Sequence, residues 1–237
     1  MAEFIAVDAR RGDRVWLGSP GREVWRTWLL DPPAGTREPQ AFLIEYGPGV
    51  VLQTHFHDVD EFQVVVAGSG SMGSHAIAPY TVHHAHAWTP YGPIVAGPEG
   101  LSFLTLRALR DSAGPRKLPE QRPALDAVAD RRPWQGSERV TLHPQPVSLS
   151  LCTPLGKLVD AGASAGDVLQ LAPDETRDVG AGAGGAFIAL LAGSFREGNA
   201  TREGLAVAFL QAAGGSVSLR AGPQGAAALV LRFRAHG

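Results

Sequence analysis

The sequence predicts an all-β protein made of two copies of one small domain. Three observations carry this. Gly 29 and Pro 18 among 237 residues punctuate short apolar runs throughout, the pattern of many strands joined by tight turns. Stripes of apolar residues at the 3.6 period of a long helix are hard to find. The chain also repeats itself at a single offset of 125 residues, read from the sequence. Val64-Val65-Val66-Ala67-Gly68-Ser69 returns as Ala189-Leu190-Leu191-Ala192-Gly193-Ser194. Likewise Ala96-Gly97-Pro98 returns as Ala221-Gly222-Pro223, and Leu104-Thr105-Leu106-Arg107 as Leu229-Val230-Leu231-Arg232. Three blocks in one register mark a duplicated unit.

Taken in order, residues 15–17, 24–30 and 41–46 read as strands, separated by turns at Gly18-Ser19-Pro20-Gly21 and Asp31-Pro32-Pro33. Trp16, Trp25 and Trp28 are expected as core or dimer-interface aromatics. Gly49 opens the next strand, which carries His55 and His57. Glu61 starts a further strand that Gly68 ends. Histidines two apart share one face of a strand because side chains alternate, and the carboxylate four residues on can return toward them from its neighbour. Two imidazoles and a carboxylate are a ligand set for a divalent transition metal, with positions left for water or substrate. Residues 80–88 form another strand, with His84, His86 and Trp88 expected on one face and His83 on the other. From 111 to 146 prolines and charges alternate, which disfavours a continuous strand, with room for a short helix near 124–129. The expected organisation is 1–110, a metal-bearing first domain; 111–146, a linker; and 147–237, a second domain.

The register of the repeat exposes an asymmetry. His55 falls on Gly180, His57 on Gly182 and Glu61 on Ala186, so each ligand is replaced by a residue with no donor atom. The second copy should be metal-free, its interior filled by Phe187, Phe209 and Leu231.

The first motif, G-x5-H-x-H-x3-E-x6-G, resembles the first signature of the cupin superfamily at every spacing. That resemblance implies two tandem jelly-roll barrels with a metal held inside the first. The second cupin signature is less well met: Pro90-Tyr91-Gly92 fits its turn, but its histidine position is Val95. His86 is the expected fourth metal ligand beside His55, His57 and Glu61, with His83, His84 or His75 as alternatives. Gln63, His84 and Trp88 are the expected substrate contacts. The cofactor implied is one divalent transition metal, Fe, Mn, Ni, Co or Zn. The chemistries implied are dioxygenation, isomerisation, lyase action or decarboxylation of a small metabolite; the alternative is a non-catalytic small-molecule binder or structural cupin.

Composition limits partners. A formal net charge of -2 favours neither nucleic acid nor an anionic membrane. The expected partners are a small-molecule ligand and a second copy of the chain. The single cysteine, Cys152, forms no intramolecular disulfide and suits a reducing compartment. The charged opening, with Glu3, Asp8, Arg10 and Arg11, lacks a secretory h-region. Cytoplasmic residence is the expectation.

Overall fold

The computed structural model describes residues 3–111, 113–158, 165–197 and 200–235. They fall into two compact units, residues 13–139 and residues 1–12 with 140–237. Strand β1 (Ile5–Ala6) belongs to the second of these. No helix among the described residues is long and apolar enough to cross a membrane.

In residues 13–139 the strands are β2 (Val15–Trp16), β3 (Val24–Leu30), β4 (Gln40–Tyr46), β5 (Val51–Leu52) and β6 (His55–Phe56). They continue with β7 (Glu61–Met72), β8 (His75–Ile77), β9 (Thr81–Ala85), β10 (Ile94–Arg107), β11 (Arg116–Lys117) and β12 (Gln135–Arg139). One short helix, α1 (Arg122–Asp126), precedes β12. The main sheet runs β12-β9-β7-β10-β4-β3-β2, with β5 on β10 and β8 on β7, and all its pairings are antiparallel. Its path ends on β12 and β2 rather than closing on itself.

The proline-rich segment does more than link. Although its prolines bar a long strand, β11 pairs with β6 and β12 pairs with β9. Gly68 does not end its strand either. It takes φ +71 where the β7–β10 register shifts, so β7 bends there and continues. A side chain at 68 would place Cβ 2.2 Å from the carbonyl oxygen of Gly100; only glycine allows that approach. Trp16 is half exposed, with Trp25 beside it.

The second unit contains β13 (Leu151–Pro154), β14 (Ala165–Leu171), β15 (Thr176–Gly180) and β16 (Ala186–Glu197). Its last strands are β17 (Ala200–Glu203), β18 (Ala206–Leu210) and β19 (Ser216–Arg232). Its sheet order is β1-β18-β16-β19-β14-β13, with β15 on β19 and β17 on β16. Strands β4, β7 and β9 correspond to β14, β16 and β18 end for end at the 125-residue offset. Ala186 lies in an apolar cluster with Ile188, Leu190, Leu169, Phe195 and Val230. Phe187 instead meets Phe209 and Phe233. The filling around Ala186 expected from Phe187, Phe209 and Leu231 is therefore supplied by other side chains, because residue 187 and its cross-strand partners 209 and 231 point to the other side of the sheet from 186 and 188.

Candidate metal and ligand site

Register builds the site. Gln40 pairs with Arg107 across β4 and β10, while Gln63 pairs with Thr105 across β10 and β7. Arg107, two residues beyond Thr105, therefore stands level with Glu61. Gln40, Arg107 and Glu61 form one row across three strands, and Phe42, Thr105 and Gln63 form the next. On β9, Ala85 pairs with Glu61 and His83 with Gln63.

The histidine segment is gripped from both sides. His55 and Phe56 pair with Lys117 and Arg116 of β11. The backbones of His55 and Tyr91 exchange hydrogen bonds of 3.1 and 3.0 Å, and the Trp88 N–H donates to the His57 carbonyl at 2.6 Å. His55 and His57 consequently face one way and Phe56 the other.

These rows line a cavity of about 450 Å³ that contains His55, His57, Glu61, Gln63, Arg107 and Asp111. Its walls add Trp28, Phe42, Ile44, Tyr46 and Phe103, and four further cations, Arg22, Arg26, Arg110 and Lys117. Arg26 lies over the Trp28 ring at 4.2 Å, and its buried Nε has no hydrogen-bond partner.

The electrostatics around Glu61 are tightly organised. Arg107 donates from Nε to Glu61 Oε2 at 2.6 Å and from Nη1 to Gln40 Oε1 at 2.8 Å. Tyr91 donates its hydroxyl to Glu61 Oε1, and Gln63 Nε2 donates to the Tyr91 oxygen at 3.2 Å. Burial alone would raise the Glu61 carboxyl, yet Arg107, His57 and the Tyr91 hydrogen bond hold it at about 2. Burial, then the charge of Glu61, pushes the Tyr91 phenol well up, so it stays protonated. Burial lowers His55 to about 4, with the neighbouring His57 adding to the effect. Burial opposes ionisation of Asp111 as well, but its hydrogen bond with His57 and the charge of Arg107 hold the carboxyl well below the usual carboxylate range.

Both cavity histidines are oriented through Nδ1. His55 Nδ1 meets the Gln53 carbonyl at 2.8 Å, and His57 Nδ1 meets Asp111 Oδ2 at 2.5 Å. Carbonyl and carboxylate oxygens accept only, which fixes the proton on Nδ1 and leaves Nε2 as the donor atom, the arrangement of metal-binding imidazoles. With an ionised Glu61, this donor chemistry fits a divalent metal. Arg107 engages two of these atoms in the structure, donating to Glu61 Oε2 at 2.6 Å and facing His57 Nε2 from Nη2 at 3.3 Å, so an ion there has to displace the guanidinium.

Other expected site residues lie elsewhere. His84 pairs with Phe62, not Gln63, and its ring stacks on Phe62 at 4.1 Å. Its Nδ1 lies 2.9 Å from the Glu61 carbonyl oxygen. His86 lies beyond β9 beside Trp134, at a ring separation of 5.3 Å. His84 and His86 come together with Asp60, with one ligand atom of each within 4.8 Å of the others. This is the sole such group of three among the described residues, so His86 is not gathered with His55, His57 and Glu61, and those three line the cavity without their ligand atoms coming that close together. The register explains why: His83 takes the Gln63 side of β9, and His84 takes the reverse. Trp88 packs between Phe56 and Arg116, outside the cavity lining. Asp58, in the turn between the histidines and Glu61, pairs with Arg116 at 2.8 Å.

Sequence reading missed Tyr91, Arg107, Asp111 and Gln40. Arg107 carried a signal, since its repeat partner at the 125 offset is also arginine, Arg232. Tyr91 was hidden inside a turn motif read only for its proline and glycine.

No protein-family model matches the chain, and comparison with curated proteins gives no match. Solved structures do resemble it. A point mutant of oxalate decarboxylase from Bacillus subtilis matches at TM-score 0.62 and 10% identity over 98% of this chain and 77% of that one. A candidate dioxygenase from Nostoc punctiforme matches at TM-score 0.64 and 12% identity, over 99% and 83%. The Escherichia coli pirin in complex with nickel(II) matches at TM-score 0.61 and 12% identity, over 99% and 100%. These are cupin proteins, and at such identities the likeness establishes a shared fold. The chain has a cupin fold.

Proposed function

We propose that the chain is a two-copy cupin that binds one divalent transition metal in the 13–139 unit and acts there on a small organic anion. The observation that carries this is the cavity itself, which His55, His57 and Glu61 all line, with each imidazole held through Nδ1. His55, His57 and Glu61 would hold the ion, with Fe, Mn, Ni, Co and Zn all compatible with two imidazoles and a carboxylate. Support also comes from the fold's other members, since Mn(II) centres are described for the Bacillus oxalate decarboxylase and nickel(II) for the pirin. When bound, such an ion supplies Lewis acidity and, with a redox-active metal, oxygen activation.

The chain's own residues set what can enter. Five cations line the cavity against the carboxylates of Glu61 and Asp111, which favours an anionic ligand. The Arg26 Nε proton is a buried donor without an acceptor, and Trp28, Phe42 and Phe103 offer apolar faces to the ligand's body. Gln63 adds a buried Oε1 with no donor. Tyr91, kept protonated, holds its proton at Glu61 Oε1. Dioxygenation, isomerisation, lyase action and decarboxylation remain within this reading. The second copy, with Gly180, Gly182 and Ala186 at the ligand positions, serves as a structural partner. The cytoplasm suits its exposed Cys152, and a homodimer would use the exposed Val15 and Trp16.

Metal analysis of the purified chain reloaded with Fe(II), Mn(II) or Zn(II) tests this. A transition metal lost in His57→Ala, together with turnover, supports it. No binding dependent on His57 would remove it. A second reading, a non-catalytic binder, is favoured by Arg107, which neutralises Glu61 without any metal. It requires that anion binding survive complete metal removal.

A further inference from the structure

We infer that Asp60, His84 and His86 form a second metal site, a buried structural centre for a Zn(II)-like ion on the reverse side of the strands that carry Glu61 and His83. The inference stands independently of the cavity reading. The three side chains arrive from different places: Asp60 immediately before β7, His84 on β9, and His86 just after it. Their ligand atoms nonetheless lie within 4.8 Å of one another, close enough for one ion to draw them in. All three are buried, His84 completely.

The tautomers are suited to coordination. His84 Nδ1 faces the Glu61 carbonyl at 2.9 Å, and His86 Nδ1 faces the Arg132 carbonyl at 3.4 Å. A carbonyl has no proton to give, so each Nδ1 carries the hydrogen and each Nε2 the lone pair. Asp60 is fixed as well, since its Oδ1 accepts the Ala87 N–H at 2.8 Å. One carboxylate and two imidazoles suit Zn(II), Co(II) or Ni(II), with a fourth position for one water.

Burial argues for a structural role. A catalytic ion needs an open coordination position that substrate can reach, whereas Trp134 packs over both imidazoles, at ring separations of 5.6 and 5.3 Å. Its consequence is mechanical. Asp60 adjoins Glu61 and His84 adjoins His83, so an ion here would clamp β7 to β9 directly behind the cavity. A hydrogen-bonded Asp–His cluster that never takes metal is the competing account.

The test uses the full chain, stripped of metal and titrated with Co(II). Bound metal is counted by equilibrium dialysis, and visible absorption reports tetrahedral coordination. Wild type should bind two ions. His57→Ala should retain one, with the intense tetrahedral band. Asp60→Asn and His86→Ala should lose that band and weaken this binding at least tenfold. Asn at 60 keeps an acceptor for the Ala87 N–H, and circular dichroism checks that each variant is folded. A single ion lost in Asp60→Asn and His86→Ala but kept in His57→Ala would support this centre while removing the cavity site. Binding unaffected by either substitution at 60 or 86, or no binding in wild type, would overturn it.

Discussion

Arg107→Met removes the cation on which the buried carboxylates depend while keeping an unbranched apolar stem. Arg107 reaches Glu61 at 2.6 Å through Nε and Asp111 Oδ2 at 3.5 Å through Nη1, with all three side chains buried. At an effective dielectric near 20, one such pair at about 3 Å is worth roughly 5 kcal/mol before the desolvation of the guanidinium is set against it. Removing one partner of a buried pair typically costs about 3–5 kcal/mol, and that is the loss expected for the metal-free variant near pH 7.5. The sign of its pH dependence follows. In wild type the Glu61 carboxyl is held at about 2, below its ordinary value of 4.5, so its stabilisation is present above about 4.5 and is lost as pH falls through about 2. Without Arg107, burial raises the carboxyl, so the deficit should narrow as pH falls and Glu61 takes up a proton. All five tryptophans, Trp16, Trp25, Trp28, Trp88 and Trp134, lie in residues 13–139. Their fluorescence during urea unfolding therefore reports on that unit alone, which avoids treating a two-unit chain as one transition. Adding Glu61→Gln to Arg107→Met should recover much of the loss. A deficit below about 1 kcal/mol that stays constant with pH would refute the charge argument.

Two further outcomes follow from the same structure. The metal-free protein should lose stability as pH falls from about 6.5 to about 4, because burial depresses His55 and His83 from 6.5 to about 4. The unfolded chain takes up those protons first, a change of roughly 3 kcal/mol per histidine, and a flat denaturation midpoint across this range would contradict it. Gly68→Ala should destabilise by more than about 2 kcal/mol, since φ is +71 and the new Cβ would meet the Gly100 carbonyl at 2.2 Å. Gly193→Ala should do the same against Gly225, where the distance is again 2.2 Å; thermal unfolding of either variant near the wild-type temperature would count against both.

The legible parts of this chain were those governed by local periodicity and by repetition. Strand alternation put His55 and His57 on one side because nothing between them breaks the pattern. The 125-residue offset anticipated that β7 and β16 would match, since a duplicated sequence carries duplicated glycines at the bends within these strands, Gly68 and Gly193. What the sequence concealed depends on pairing between distant strands. Which of His83 and His84 shares a side with Glu61 is set by the β7–β9 register, and no local signal in residues 80–88 reveals it. Arg107 and Gln40 meet Glu61 through two further registers. Asp111 and β11 lay in a stretch whose prolines read as a linker. Prolines exclude long strands but not the two-residue pairing that holds His55 and Phe56 in place.

The central claim is that His55, His57 and Glu61 hold one divalent ion in the cavity. Anomalous diffraction from crystals of the full chain loaded with Mn(II), Ni(II) or Zn(II) tests it most directly. The account predicts an anomalous peak about 2.0–2.2 Å from His55 Nε2, His57 Nε2 and a Glu61 oxygen, with the Arg107 guanidinium moved off Oε2. Loaded crystals with Arg107 still bonded to Glu61 and no anomalous peak at the two imidazoles would contradict it.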